Sequence, residues 1–401
     1  MNKKLLFLFL IFSIIQIPLL FTTLTADENV YYYTAKVISE GQYIIYQDFF
    51  SAHPPLHTYL LSFLIRIFGM RVWVLKGFTL LVTLGTAYFL FKIAEERYDC
   101  KSAFIAVILF LITYDTLFFA SFSFGLELAI LFFMVSWYCL NKKPRLAGVF
   151  MGLAIATRLH VLPLALILWL HSKKKLNFML GGALICLPYY GLLLMIPNFF
   201  NNVFFYHASK VNHWNGWFSF LRANLPLFIL VSYSLKKIKD SFTFELALAY
   251  CAFMVIIGSV FEYFFLPITI ILAIEGAYAL AYSRFRKVLW VVIVIWTVVM
   301  CFKVGIFIYE QTNSYNELID YVSGIDGTIM GEPSLASLIA LKSGKNITRN
   351  MIDLNFQRGE IFDYKNSLVI YNSRVFNGFV MNCTLINSTT IKDNTYNLWR
   401  C

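Results

Sequence analysis

Residues 5–24 read LLFLFLIFSIIQIPLLFTTL, twenty positions without a charge. Runs of this kind recur along the chain, and they limit what it can fold into more than any other feature. A bilayer core about 30 Å thick needs roughly 20 apolar residues per helical crossing. Backbone amides must find partners inside hydrocarbon, so such runs have to be helical or form closed barrels. Only 14% of the 401 residues are charged, against about 25% in soluble domains. The expected class is a polytopic, mainly α-helical membrane protein.

A net charge of +11 raises nucleic acid as a partner, and the distribution of the charge argues against it. Lysine and arginine fall in short clusters between apolar runs: Lys3–Lys4, Arg97 with Lys101, NKKPR at 141–145, KKK at 173–175, KKIK at 236–239 and RFRK at 284–287. That is the positive-inside pattern of membrane topology. The expected location is a cell membrane, crossed many times, with a cytoplasmic N-terminus.

After residues 5–24, read as an uncleaved first helix rather than a signal peptide, further spans are predicted at about 71–93, 103–120, 122–140, 176–196, 218–235, 242–260, 264–283 and 287–309. Leu146–Leu170 lies between two basic clusters. A single crossing would put those clusters on opposite sides, so the charge rule predicts two short helices with Arg158 and His160 near the outer turn. About eleven membrane helices result. They make up a membrane domain over 1–309 whose first outer loop is 25–70. Residues 310–401 are richer in polar residues, with GTIMGEP, SLASLIALKSG and NSLVIYN predicting strand, helix and strand. This is the expected small extracytoplasmic α/β domain. Its sequons at Asn346, Asn382 and Asn387 agree with an outside location. Cys383 and Cys401 leave a disulfide open; Cys139, Cys186, Cys251 and Cys301 read as packing residues.

No P-loop, dinucleotide fingerprint, GxSxG or HExxH is present. Chemistry has to come from polar groups at the outer membrane face. The segment TADENVYYYTAKVISEGQYIIYQDFFSAHPPLHTYL, 25–60, brings Asp27, Glu28, Asp48, His53 and His57 there, with Asp27 at the end of the first helix. The same face receives Glu127 in GLELAILFF, Arg158, then His207, Lys210 and His213 in one loop, and Tyr263 in FEYFFLP. Ionisable residues inside membrane segments are costly and usually functional, which singles out Glu127 and Arg158. Each has a plainer reading: Glu127 paired for packing, Arg158 reaching for headgroups, the histidines as interfacial residues.

DENVYYYTAKVISEGQYIIYQDFFSAHPPLHTYLLSFLIRIFG resembles the first outer loop of GT-C glycosyltransferases, in the branch of protein O-mannosyltransferases and aminoarabinose transferases. The Asp-Glu after the first helix, the later Asp and the Pro-Pro-Leu carry the likeness. GLELAILFF, AGVFMGLAIATR and EYFFLP add weaker matches. The sequence departs from the pattern at Ala52–His53, where many relatives have an acid or a lysine before Pro-Pro-Leu. The tail loosely resembles the outer domains of archaeal or bacterial relatives.

The resemblance implies inverting transfer of a hexosyl, mannosyl-type sugar from a polyprenyl-phosphate donor to a glycan, lipid or protein acceptor outside the cytoplasm, as part of cell-envelope glycosylation. It implies Asp27 as base and Glu127 as a second catalytic acid. Glu28, Asp48, His53, Arg158, His207, Lys210 and Tyr263 would bind substrate. No nucleotide cofactor is expected, a divalent metal stays open, and no metal ligands are assigned. The rival classes are a lipid or polymer transporter or flippase using intramembrane charges, and a non-catalytic surface-assembly protein. The absence of paired inverted repeats speaks against a transporter.

Overall fold

The computed structural model describes residues 3–22, 27–41, 44–205, 215–234, 241–258, 261–312, 315–348, 367–372, 384–391 and 394–400. The fold is mostly helical, with many apolar helices and one small sheet. Among the described residues, five helices are long and apolar enough to cross a membrane: Lys3–Phe21, Val72–Arg97, Lys175–Leu194, Tyr263–Tyr282 and Arg286–Tyr309. Several other expected spans are divided. The stretch 103–120 is interrupted after Leu111 and resumes as Tyr114–Phe119, where the Thr113 hydroxyl caps the new helix. The stretch 218–235 is split at Asn224 into Asn215–Ala223 and Leu225–Ser234. Apolar content predicts that a segment is buried in lipid or protein; it does not say where polar side chains interrupt the helix.

The chain forms two compact units that do not follow chain order. One gathers 1–20, 76–195 and 207–305; the other gathers 21–75, 196–206 and 306–401.

In the first unit, Leu146–Leu170 is two helices, as the basic clusters predict. Pro144–Thr157 ends at Arg158, whose backbone is extended (φ −150°, ψ 125°), and the chain continues through Leu159–Val161 into Leu162–His171. Pro144–Thr157 and Lys175–Leu194 pack through glycines. Gly148 lies on Phe178 and Gly182, Gly152 on Gly182 and Ile185, and Gly181 on the carbonyl of Arg145. Small residues let two helix backbones approach this closely. Further along, the hydroxyls of Tyr190 and Tyr189 donate to the carbonyls of Ile155 (2.8 Å) and Ala156 (3.0 Å). Contacts that advance together along both helices make the pair parallel. The segment between them therefore runs back, and the clusters at 141–145 and 173–175 stand at the same end of the pair.

In the second unit, helices Glu28–Ser39 and Leu56–Phe68 pack together. Arg66 ties them, donating to the carbonyls of Ile38 and Ser39 at 3.3 Å each. The predicted strand, helix and strand of the tail are found at β1 (Thr328–Gly331), Pro333–Ser343 and β2 (Ser367–Asn372). β3 (Thr384–Ile391) and β4 (Asn394–Arg400) complete a mixed sheet in the order β1-β2-β4-β3. β1 and β2 are parallel and the other pairs antiparallel. Helix Pro333–Ser343 covers β1 and lies on helix Glu28–Ser39. Beyond it, the Ile347 amide donates to the Tyr33 hydroxyl at 2.8 Å. The first polar loop and the C-terminal segment thus share one core.

Candidate active site

Asp27 opens helix Glu28–Ser39 rather than closing the first helix, which ends at Phe21. Its carbonyl starts the helical ladder by accepting from Val30, 3.0 Å away. Its carboxylate makes no capping bond to its own helix. It is exposed, and its Oδ1 accepts from the hydroxyl of Ser334, 3.1 Å away. Ser334 lies in the first turn of Pro333–Ser343. Unpaired amides give that end of a helix a partial positive charge, which favours a carboxylate. Glu332, just before the helix, is close enough to sense the charge on Asp27. Packing around its carboxyl, and after it the Asp27 charge, raises its pKa above the usual Glu value, although much of the residue is open to solvent.

The other acids of the loop differ. Glu28 is fully buried, and its Oε2 accepts from the Tyr32 hydroxyl at 3.1 Å. Asp48 is exposed, and its Oδ2 accepts from the Ile44 amide at 2.5 Å, closing the turn that bridges Ile45 and Phe49. Tyr46 sits in that turn with φ +69°, a conformation uncommon for a side-chain-bearing residue. It is held by its hydroxyl bond to the His53 carbonyl (2.5 Å) and by the Phe199 ring at 5.1 Å. The Tyr31 ring contacts both histidines, His53 at 6.2 Å and His57 at 5.7 Å between centroids. His57 is buried and His53 half-buried. Among the described residues, no group of three or more His, Cys, Asp or Glu is arranged to hold a metal ion.

In the first unit, Gly125 adopts φ +81° and starts helix Leu126–Cys139, which carries Glu127 in its first turn. Glu127 and Asp115 line one small cavity together with Thr83, Thr86 and Thr116. Asp115 Oδ2 accepts from Asn224 Nδ2 (2.7 Å) and from the Thr269 hydroxyl (3.1 Å). Tyr263 stacks on Phe124 at 4.6 Å, and His160 lies 4.6 Å from the Phe264 ring. Arg158 is buried at the break between its two helices, 3% exposed. His207, Lys210, His213, Cys383 and Cys401 lie outside the described residues.

Several buried charges were not singled out from sequence. Lys76 is fully buried, its ammonium 4.5 Å from the centre of the Phe122 ring. Arg97 pairs with Glu275 at 3.1 Å, and Glu275 also accepts from Tyr98 at 2.5 Å. Lys76, Asp115 and Glu275 each stand within apolar runs, so the rule that selects Glu127 and Arg158 applies equally to them. Nothing local in the sequence marks Glu332 and Ser334.

Neither a protein-family model nor a curated protein matches the sequence. Solved structures do. The aminoarabinose transferase ArnT from Cupriavidus metallidurans, in a crystal structure bound to undecaprenyl phosphate, superposes with a TM-score of 0.70 at 11% identity, over 97% of each chain. Its apo structure gives the same TM-score and coverage at 12% identity. The Archaeoglobus fulgidus oligosaccharyltransferase, tethered to an acceptor peptide containing the NVT sequon, covers 92% of this chain and 69% of its own, with a TM-score of 0.55 at 11% identity. At this identity the likeness is one of fold: the chain shares the GT-C fold of these neighbours, a polytopic, mostly helical membrane architecture with a small sheet.

Proposed function

We propose that the chain is a glycosyltransferase that moves a sugar from a polyprenyl-phosphate donor to an acceptor on the extracytoplasmic face of a membrane. The observation that carries this reading is the fold shared over 97% of the chain with a transferase solved with undecaprenyl phosphate bound. In this reading the membrane domain ends near residue 309 and the segment from 310 onward lies outside.

The acceptor hydroxyl loses its proton to Asp27, its oxygen bonds to the anomeric carbon, and the bond from that carbon to the phosphate oxygen breaks. The electron pair leaves with the carrier phosphate, and the anomeric configuration inverts. A base has to lie about 2.6–3.2 Å from the oxygen whose proton it takes. An exposed carboxylate steadied through one oxygen, as Asp27 is by Ser334, has its other oxygen to offer the acceptor. Arg158 offsets charge on the leaving phosphate, to which its guanidinium can present a planar fork. Glu127 serves as the second acid. A hexosyl, mannosyl-type donor is the first to try. A metal, if one takes part, would have to draw ligands from the substrate phosphate as well as from carboxylates such as Asp27.

The test uses purified protein with synthetic polyprenyl-phosphate sugars and no membrane gradient. Sugar transfer by the native chain and its loss in Asp27→Asn are expected. A chain that instead moves labelled carrier lipid across vesicles, and transfers nothing from any donor, would be a flippase.

A further inference from the structure

The reaction proposed above places the base in the first loop, but its side chain is held from the far end of the sequence. Asp27 ignores its own helix and takes a hydrogen bond from Ser334, 3.1 Å away. Ser334 is fixed in turn. Pro333 begins the helix Pro333–Ser343 with its φ already set for a helical start. Leu335, Ala336, Leu338 and Ile339 bury that helix, and the Ala336 amide donates to the Glu332 carbonyl at 2.7 Å. The hydroxyl therefore sits on a rigid element, which is what steadies a reacting group.

We propose that Ser334 belongs to the catalytic centre as the residue that positions Asp27. This rests on the reading of Asp27 as base. With Oδ1 occupied by Ser334, Oδ2 is left to receive the acceptor proton. Glu332 stands in the field of the Asp27 charge, which is the second cause of its raised pKa. Among the described residues, the groups around the pair are accounted for. Tyr396, which hydrogen-bonds Tyr315 at 3.2 Å, senses Glu332. Glu28 is bonded to Tyr32, Lys36 lies 3.9 Å from Glu40, and Lys345 reaches the Ile325 carbonyl at 2.5 Å. Glu317 and Asp320 lie on the exposed face of helix Asn316–Ser323. No cation among these is bonded to either carboxyl.

The test compares Ser334→Ala, Ser334→Thr, Glu332→Gln and Asp27→Asn in the purified full chain with a synthetic polyprenyl-phosphate sugar. Ser334→Ala should lower kcat about tenfold, the worth of one hydrogen bond to a charged group. Its donor KM should stay within about twofold, because a hydrogen bond that aims the base acts in the transition state. Ser334→Thr keeps the hydroxyl and should recover most of the rate. Glu332→Gln keeps the turn and the Ser334 hydroxyl, and should hold kcat within about twofold of the native rate, which separates the hydrogen bond from the neighbouring carboxyl. If Asp27→Asn is inactive while Ser334→Ala matches the native kcat, Ser334 has no part in catalysis. Failure of Ser334→Thr to recover any rate lost in Ser334→Ala points the same way. If Asp27→Asn keeps its activity, the assignment of the base falls, and this inference with it.

Discussion

The hydroxyl of Ser334 donates a hydrogen bond to Asp27 across 307 positions of sequence, at 3.1 Å. One bond thus joins the N-cap of helix Glu28–Ser39 to the first turn of helix Pro333–Ser343. Its neighbour Glu332 is the group through which pH should be felt.

Glu332 has its pKa raised, by packing around the carboxyl first and by the Asp27 charge second. The fold therefore prefers the protonated form. The stability this gives is fully present below the ordinary Glu range and is lost as the pH rises through the higher folded value. Glu332→Gln should make stability flatter across that window and higher at neutral pH. Thermal unfolding in detergent from acid to neutral pH checks it; equal slopes for both chains would contradict it.

Arg158→Ala should raise the apparent donor KM about tenfold and leave the acceptor KM within about twofold, because a phosphate loses a charge-assisted partner. Arg158→Lys should fall between, keeping the charge without the planar fork. Initial rates with each substrate varied in turn decide the point. An equal fall in both affinities, or loss of the protein from the membrane, would mean that Arg158 serves folding.

The Arg97–Glu275 pair is 10% and 3% exposed at its two side chains. Glu275→Ala leaves the guanidinium without its carboxylate in the interior, at a cost of about 3–5 kcal/mol. A fall in the unfolding temperature of purified protein is the expected signature. The double change Arg97→Met with Glu275→Leu should recover much of it, since matched apolar replacements often do.

Gly148 and Gly181 have no room for a side chain: an added Cβ would strike the carbonyls of Phe178 and Arg145. Gly148→Ala and Gly181→Ala should each cost about 1–3 kcal/mol through overpacking. Gly191, whose Cβ position meets nothing within 4 Å, is the control and should tolerate alanine. Yield and thermal stability of the three variants can be compared directly.

Topology is tested by a single cysteine at Glu317, an exposed position of helix Asn316–Ser323, with all seven native cysteines changed to serine. A membrane-impermeant thiol reagent should label it on intact cells. Labelling only after lysis would put the segment in the cytoplasm and remove the eleven-helix topology.

Much of the architecture is legible in the sequence because it rests on local properties. Apolar runs such as 5–24 and 287–309 are long enough to span, and nothing distant is needed to make them helical. The two basic clusters flanking Leu146–Leu170 predict the break near Arg158, because each charge avoids the same side on its own account. Strand and helix in the tail follow from TIMG and PSLASLIALKS, where periodicity and a proline at the first helical position act over a few residues. Asp27 and Glu127 are visible as candidates for the same reason: a charge beside or within an apolar run is a local anomaly. The tertiary structure decides what those charges meet. It moves Asp27 from the end of one helix to the start of the next and sets Ser334 against it. It turns Glu28 inward to Tyr32, gives Asp115 to Asn224 and Thr269, and pairs Arg97 with Glu275. A sequence records the cost of burying a charge at the position where the charge sits. The partner that offsets the cost is chosen by packing between segments far apart in the chain, and no local pattern carries that choice.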